Sequence, residues 1–82
     1  MLIHPRGNSM RPLVNSGDPV LVDPDVSDLK KGDIVLCKVR GRQYLHLIKA
    51  IDGQRVQIGN NRGHINGWIG IGSVYGKAIK VG

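Results

Sequence analysis

The stretch IVLCKVRGRQYLHLIKAIDGQRVQI, residues 34–58, decides the fold. Two runs rich in apolar and β-branched residues, Ile34 to Arg40 and Gln43 to Asp52, read as strands. Gly41-Arg42 between them suits a tight two-residue hairpin. Asp52-Gly53 or Gly53-Gln54 then turns the chain into a third strand, Arg55 to Ile58. Side chains alternate faces along a strand, so Tyr44, His46, Ile48 and Ala50 share one face, and Leu45, Leu47, Lys49 and Ile51 the other. Both faces are largely apolar, which predicts a central strand.

Upstream, residues 1–6 predict a short edge strand ended by Pro5. Residues 8–14 predict a single helical turn with Asn8 or Ser9 as its N-cap. Asn15-Ser16-Gly17-Asp18 reads as a turn, Pro19 to Asp23 as a strand and Pro24 to Lys31 as a polar connection. Downstream, Gly59-Asn60-Asn61-Arg62-Gly63 reads as an irregular loop. Residues 63–73 form a Gly-rich segment carrying Trp68, Ile69 and Ile71, and Val74 to Val81 a final strand. Neither linker nor repeat divides the chain, so residues 1–82 are read as one domain. The predicted class is all-β, a small, partly open barrel.

Composition narrows the chemistry. Glu is absent, so any mechanism built on paired carboxylates must draw on six Asp residues. The single Cys37 excludes an internal disulfide and a cysteine-based metal cluster. It lies in an apolar run and reads as a small buried hydrophobe. No metal and no cofactor are expected. No apolar run reaches the ~20 residues of a membrane span, and Met1-Leu2-Ile3 runs straight into His4-Pro5-Arg6 without a secretory pattern. The expectation is a soluble, cytoplasmic protein. The net charge of +6 could attract nucleic acid. However, the basic residues are spread along the chain and are dense only from Lys38 to Arg42, at the expected hairpin tip. With Tyr44, Trp68 and Tyr75 as the only aromatics, base stacking has little to work with.

One short stretch offers a nucleophile. Gly7-Asn8-Ser9-Met10-Arg11-Pro12 places a serine between a permissive Gly and a φ-fixing Pro. Taken alone, Ser beside Gly and Asn is first of all a turn. A serine hydroxyl needs a base to take its proton, and a histidine can do so near neutral pH. His46 lies 37 positions downstream of Ser9 in the central strand. A lone histidine there can equally be a core residue.

The ordered set Gly7, Ser9-Met10, Pro12, Gly17-Asp18, Gly32-Asp33, His46-Leu47-Ile48 and Gly59-Asn60-Asn61 resembles the serine peptidases of the LexA-repressor and signal-peptidase clan. The similarity runs from Gly7 to Val81. It implies Ser9 as nucleophile and His46 as general base, the form in which the clan uses His instead of Lys. It implies an oxyanion site from the Ser9 amide with Asn8 as a further donor, and Met10 in the core or a pocket wall. Two positions depart from the pattern. Leu47 stands where a basic residue is usual. Asn60 stands where the Gly-Asp-Asn box carries Asp, so it can orient the imidazole through a hydrogen bond but supplies no anion. Asp18 and Asp52 are the remaining candidates for an acid, each weighed against a turn role, and His64 reads as a loop residue.

The resemblance also brings features that are not visible: a membrane anchor in signal peptidases, and a DNA-binding domain with an Ala-Gly cleavage pair in repressors. Three readings follow. The first is a soluble Ser/His endopeptidase acting on a protein or peptide substrate, with a homodimer left open. The second is a catalytically silent relative that binds a peptide or protein. The third is a small basic barrel that binds nucleic acid.

Overall fold

The computed structural model describes residues 1–7 and 9–82. Seven strands form one antiparallel sheet: β1 (Leu2–Ile3), β2 (Val20–Asp23), β3 (Ile34–Val39), β4 (Arg42–Asp52), β5 (Arg55–Gly59), β6 (Ile65–Gly70) and β7 (Val74–Val81). Their order across the sheet is β1-β2-β7-β3-β4-β5-β6. The sheet does not close on itself, in keeping with a partly open barrel. Among the described residues, no helix is long and apolar enough to cross a membrane.

The β3–β4 hairpin is the longest ladder, with Ile34 opposite Leu47, Val35 opposite His46 and Val39 opposite Arg42. Its turn is Arg40-Gly41, one residue earlier than the spacing predicts. A tight hairpin of this hand needs positive φ at both central residues. Gly41 takes φ 82° and Arg40 takes φ 51°, so Arg42 is released to the strand.

Hydrophobic side chains cover both faces. One cluster holds Met10, Val14, Val20, Val22, Leu36, Leu45 and Leu47. The other holds Val35, Cys37, Ile48, Val56, Ile58 and Val74. β4 lies between β3 and β5, so it is central as its apolar faces predict. Its alternation holds only as far as Ile48. Ile48 pairs with Ile58, but Ala50 pairs with Gln57 and Ile51 with Val56, so Lys49 is the extra residue of a bulge. The bulge carries Ile51, not Ala50, to the face of His46.

The Gly-rich segment holds a strand that sequence reading leaves irregular. β6 pairs with β5 along its whole length, Val56 opposite Ile69 and Ile58 opposite Gly67. A single-turn 3-10 helix, Ile71–Ser73, follows. The loop between β5 and β6 closes tightly, with the Asn60 N–H donating to the His64 carbonyl at 2.9 Å. Gly59 is required there, because a Cβ would overlap the His64 carbonyl oxygen.

Gly59→Ala is expected to cost about 1–3 kcal/mol, the usual range for overpacking. Gly70→Ala, which meets nothing within 4 Å, should cost less than half as much. Urea unfolding of the two variants checks the difference, and equal losses would mean that the closed loop does not need Gly59.

Candidate functional site

Ser9 begins a tethered turn. Met10 to Val14 make one helix-like turn, the Val14 N–H donating to the Met10 carbonyl at 3.0 Å. Met10 and Val14 are buried in the first cluster and anchor the turn to the sheet. On the upstream side, the Gly17 N–H donates to the Pro5 carbonyl at 2.7 Å, and the Gly7 N–H to Ser16 Oγ at 3.2 Å. On the other side stands Asn61. Its backbone N–H donates to the Ser9 carbonyl at 2.9 Å and its Nδ2 to the Arg11 carbonyl at 2.8 Å. Ser9 itself is exposed. Among the described residues, neither its amide nor its hydroxyl has a hydrogen-bond partner. The helical turn therefore forms without Ser9 as a side-chain cap. Asn8, expected as a cap or oxyanion donor, lies outside the described residues.

His46 is the one buried polar side chain among the described residues, 6% exposed. It faces the second cluster, across from Val35. The Tyr44 ring, two residues earlier on the same face, stacks against it with centroids 5.3 Å apart and planes 28° from parallel. Neither ring nitrogen has a hydrogen-bond partner. Burial lowers the imidazole pKa below its ordinary value, the nearby Gly59 backbone opposes this, and the charge of His64 adds to it. Burial thus favours the neutral form of a ring whose nitrogens have no hydrogen-bond partner.

The two residues belong to opposite faces of β4: Met10 and Val14 anchor the Ser9 turn in the first cluster with Leu45 and Leu47, whereas His46 faces the second. β5 pairs with β4 only from Leu47 onward, so among the described residues Arg42 to His46 present a strand edge with no ladder partner on that side. A cavity of about 240 Å³ beside the Ser9 turn is lined by Gln43, Tyr44 and Leu45 of this edge and not by His46. Ser9, Met10, Leu36, Tyr44 and Leu45 contribute to its wall. Met10 thus serves both the core and the pocket wall.

Asn60 does not orient His46. Its Oδ1 accepts from the Arg62 N–H at 2.8 Å and the His64 N–H at 3.0 Å. Two amides of its own loop occupy the side-chain oxygen, the usual behaviour of a turn Asn. Asp18 is likewise a turn acceptor, its Oδ2 taking the Asn15 N–H at 2.9 Å. Asp52 stands at the far end of β4 from His46, opposite Arg55. His64 is an exposed loop residue. Cys37 is buried with a pKa pushed up to about 11, so its thiol is inert. Among the described residues, no group of three His, Cys or Asp is placed to hold a metal ion.

The model of the family described as Peptidase S24-like matches residues 1–65. The chain belongs to the Peptidase S24-like family. The matched residues include Ser9, His46 and the whole β5–β6 loop up to His64. None of the curated proteins compared with the chain matches it. One contact of this candidate site escaped sequence reading. Asn61 clasps the serine turn, and its only signal is its place as the second Asn after Gly59. Tyr44 stacks on His46, on the face where strand alternation places both residues.

A buried histidine with a lowered pKa takes up its proton in the unfolded chain before the folded one. The contribution to stability is therefore fully present above the unfolded pKa of about 6.5. It is lost as pH falls from there toward the folded pKa. Thermal unfolding between pH 7.5 and 5.5 should show this decline in the native chain and a shallower one in His46→Leu. Equal slopes would mean that His46 is not the buried titrating group.

Proposed function

We propose that the chain is a serine endopeptidase of the Ser/His type acting on an extended peptide segment of another protein. The observation that carries this reading is His46: a buried imidazole with both nitrogens unpaired, one residue along β4 from Leu45, which walls the Ser9 cavity. An unsatisfied buried polar group costs about 1–3 kcal/mol. A fold gains nothing from that cost unless the nitrogen has a task. Burial also keeps the ring neutral at pH 7, the form a general base requires.

In this reading Ser9 Oγ attacks the scissile carbonyl and His46 takes the hydroxyl proton. The free Ser9 N–H receives the developing oxyanion. The tetrahedral intermediate collapses to an acyl-serine as imidazolium returns the proton to the leaving amine, and water then releases the acyl group by the reverse proton route. The unpaired edge from Arg42 to His46 offers main-chain groups to an extended substrate by strand addition. The Asn61 clasp holds the serine turn against that edge. Asn60 shapes the loop that carries Asn61.

A second reading, a silent relative that binds peptides without cutting them, draws on one observation: among the described residues, no anion or hydrogen-bond acceptor supports the second nitrogen of His46. The imidazolium formed in each cycle is correspondingly poorly stabilised, so the peptidase reading implies a slow enzyme.

Incubated with a peptide library, the chain is expected to cut after a small residue. Ser9→Ala should abolish cutting and leave the fold intact, because Ser9 is exposed. His46→Ala should abolish it with some loss of stability. Asn60→Asp should raise the rate by supplying the missing charge near the loop. The acid limb of kcat/KM should fall at a pH below the ordinary histidine value, following the lowered pKa. Cutting that survives in Ser9→Ala would remove the proposal. Peptide binding by the native chain without cutting, and with no gain in Asn60→Asp, would favour the silent relative.

A further inference from the structure

A second cavity, of about 380 Å³, lies at the tip of the β3–β4 hairpin. Its wall includes Arg40, Arg42, Tyr44, His64 and Asn66, and no carboxylate. The ion pairs among the described residues join Lys30 to Asp28 and Lys77 to Asp33, so neither arginine is neutralised by an acid. Arg40 holds positive φ at a turn position that favours Asn, Asp or Gly. A residue kept in an unfavourable backbone region points to a task for its side chain.

Tyr44 belongs to the walls of both cavities. The basic cavity and the Ser9 cavity therefore flank one ring, along one open strand edge. An extended peptide rises roughly 3.3 Å per residue. Arg42 and Tyr44 stand four and two positions from His46, so a chain lying on this edge reaches the basic cavity two to four residues from the bond facing His46.

We propose that this cavity is a subsite for an acidic side chain, Asp or Glu, two to four residues from the scissile bond, on the side toward the hairpin tip. The proposal names the substrate class of the peptidase reading and rests on it for the register. Two guanidinium groups recognise a carboxylate by charge-assisted, bidentate hydrogen bonds. His64 offers a further hydrogen-bonding group in the same wall. The opposite charges also steer acidic segments to the edge.

The test separates this subsite from catalysis by measuring binding to the uncleaving Ser9→Ala chain. Fluorescein-labelled peptides with a small residue at the expected cut site carry Glu or Gln at each position from two to four residues away. Fluorescence anisotropy should show at least tenfold tighter binding for the Glu peptide at one of those positions. The ratio should shrink toward one in Arg42→Gln and fall in Arg40→Gly, which also relieves the positive φ. Raising salt from 50 to 500 mM should shrink it in the unaltered hairpin, a readout that stands if either variant fails to fold. Equal binding of Glu and Gln peptides would overturn the subsite, whether or not the native chain cuts. Tighter, arginine-dependent binding of a DNA oligonucleotide at 150 mM salt would overturn it in favour of phosphate. Failure of the native chain to cut any peptide, with the Glu preference retained, would overturn the peptidase reading and leave the acidic-peptide site standing.

Discussion

The register of the β3–β4 hairpin is the constraint on which the rest depends. Val35 stands opposite His46 and Leu36 opposite Leu45. A slip of one residue would exchange the two faces of β4. It would put His46 under the Ser9 turn's hydrophobic anchor and expel Leu45 and Leu47 into the second cluster. The Arg40-Gly41 turn sets this register, and β7 locks it from the other side by pairing Leu36 with Gly76. Both clusters then close around strands whose facing is already decided.

Within that frame, stability and site geometry pull against each other. An 82-residue chain has little apolar area to spare. It nevertheless buries an imidazole with no hydrogen-bond partner, against the rule that buried polar groups are satisfied. The Ser9 turn shows the opposite economy. Its ends are tied by the Ser16 hydroxyl and by both donors of Asn61, and its middle by buried Met10. The carbonyls of Ser9 and Arg11 are thus pinned while the serine side chain stays exposed. The same loop that supplies Asn61 keeps Asn60 occupied, so one Asn pair shapes the site without charging it.

The all-β class, the hairpin, the central position of β4 and the final strand were legible because alternation and β-branched runs report burial directly. The turn was displaced by one residue because Arg40 adopts a positive φ that its identity does not advertise. β6 was invisible because Gly67 and Gly70 interrupt its pattern, and its pairing with β5, not its own propensity, makes it a strand. The Lys49 bulge could not be read either, since a single inserted residue leaves no mark in composition. At the site, Ser9 and His46 stood out by residue type and order. The contacts of Asn60 and Asn61 could not be assigned, because both are turn-forming amides and only the closed loop decides which one reaches the serine turn. The basic tip from Lys38 to Arg42 was seen as a charge cluster. Its position along the open edge of β4 depends on where β5 stops, which no sequence signal gives.

The central claim is that the Ser9 turn and His46 act as one site on the open edge of β4. The most direct measurement is a crystal structure of the chain with a peptide aldehyde bound. The account predicts a covalent bond from Ser9 Oγ to the aldehyde carbon and a His46 ring nitrogen within about 3.2 Å of the reacting oxygens. It also predicts main-chain hydrogen bonds between the peptide and the strand from Arg42 to His46. An unmodified Ser9 more than about 8 Å from the His46 ring, with the aldehyde absent or bound elsewhere, would contradict it, because proton transfer at a dyad needs direct or single-water contact.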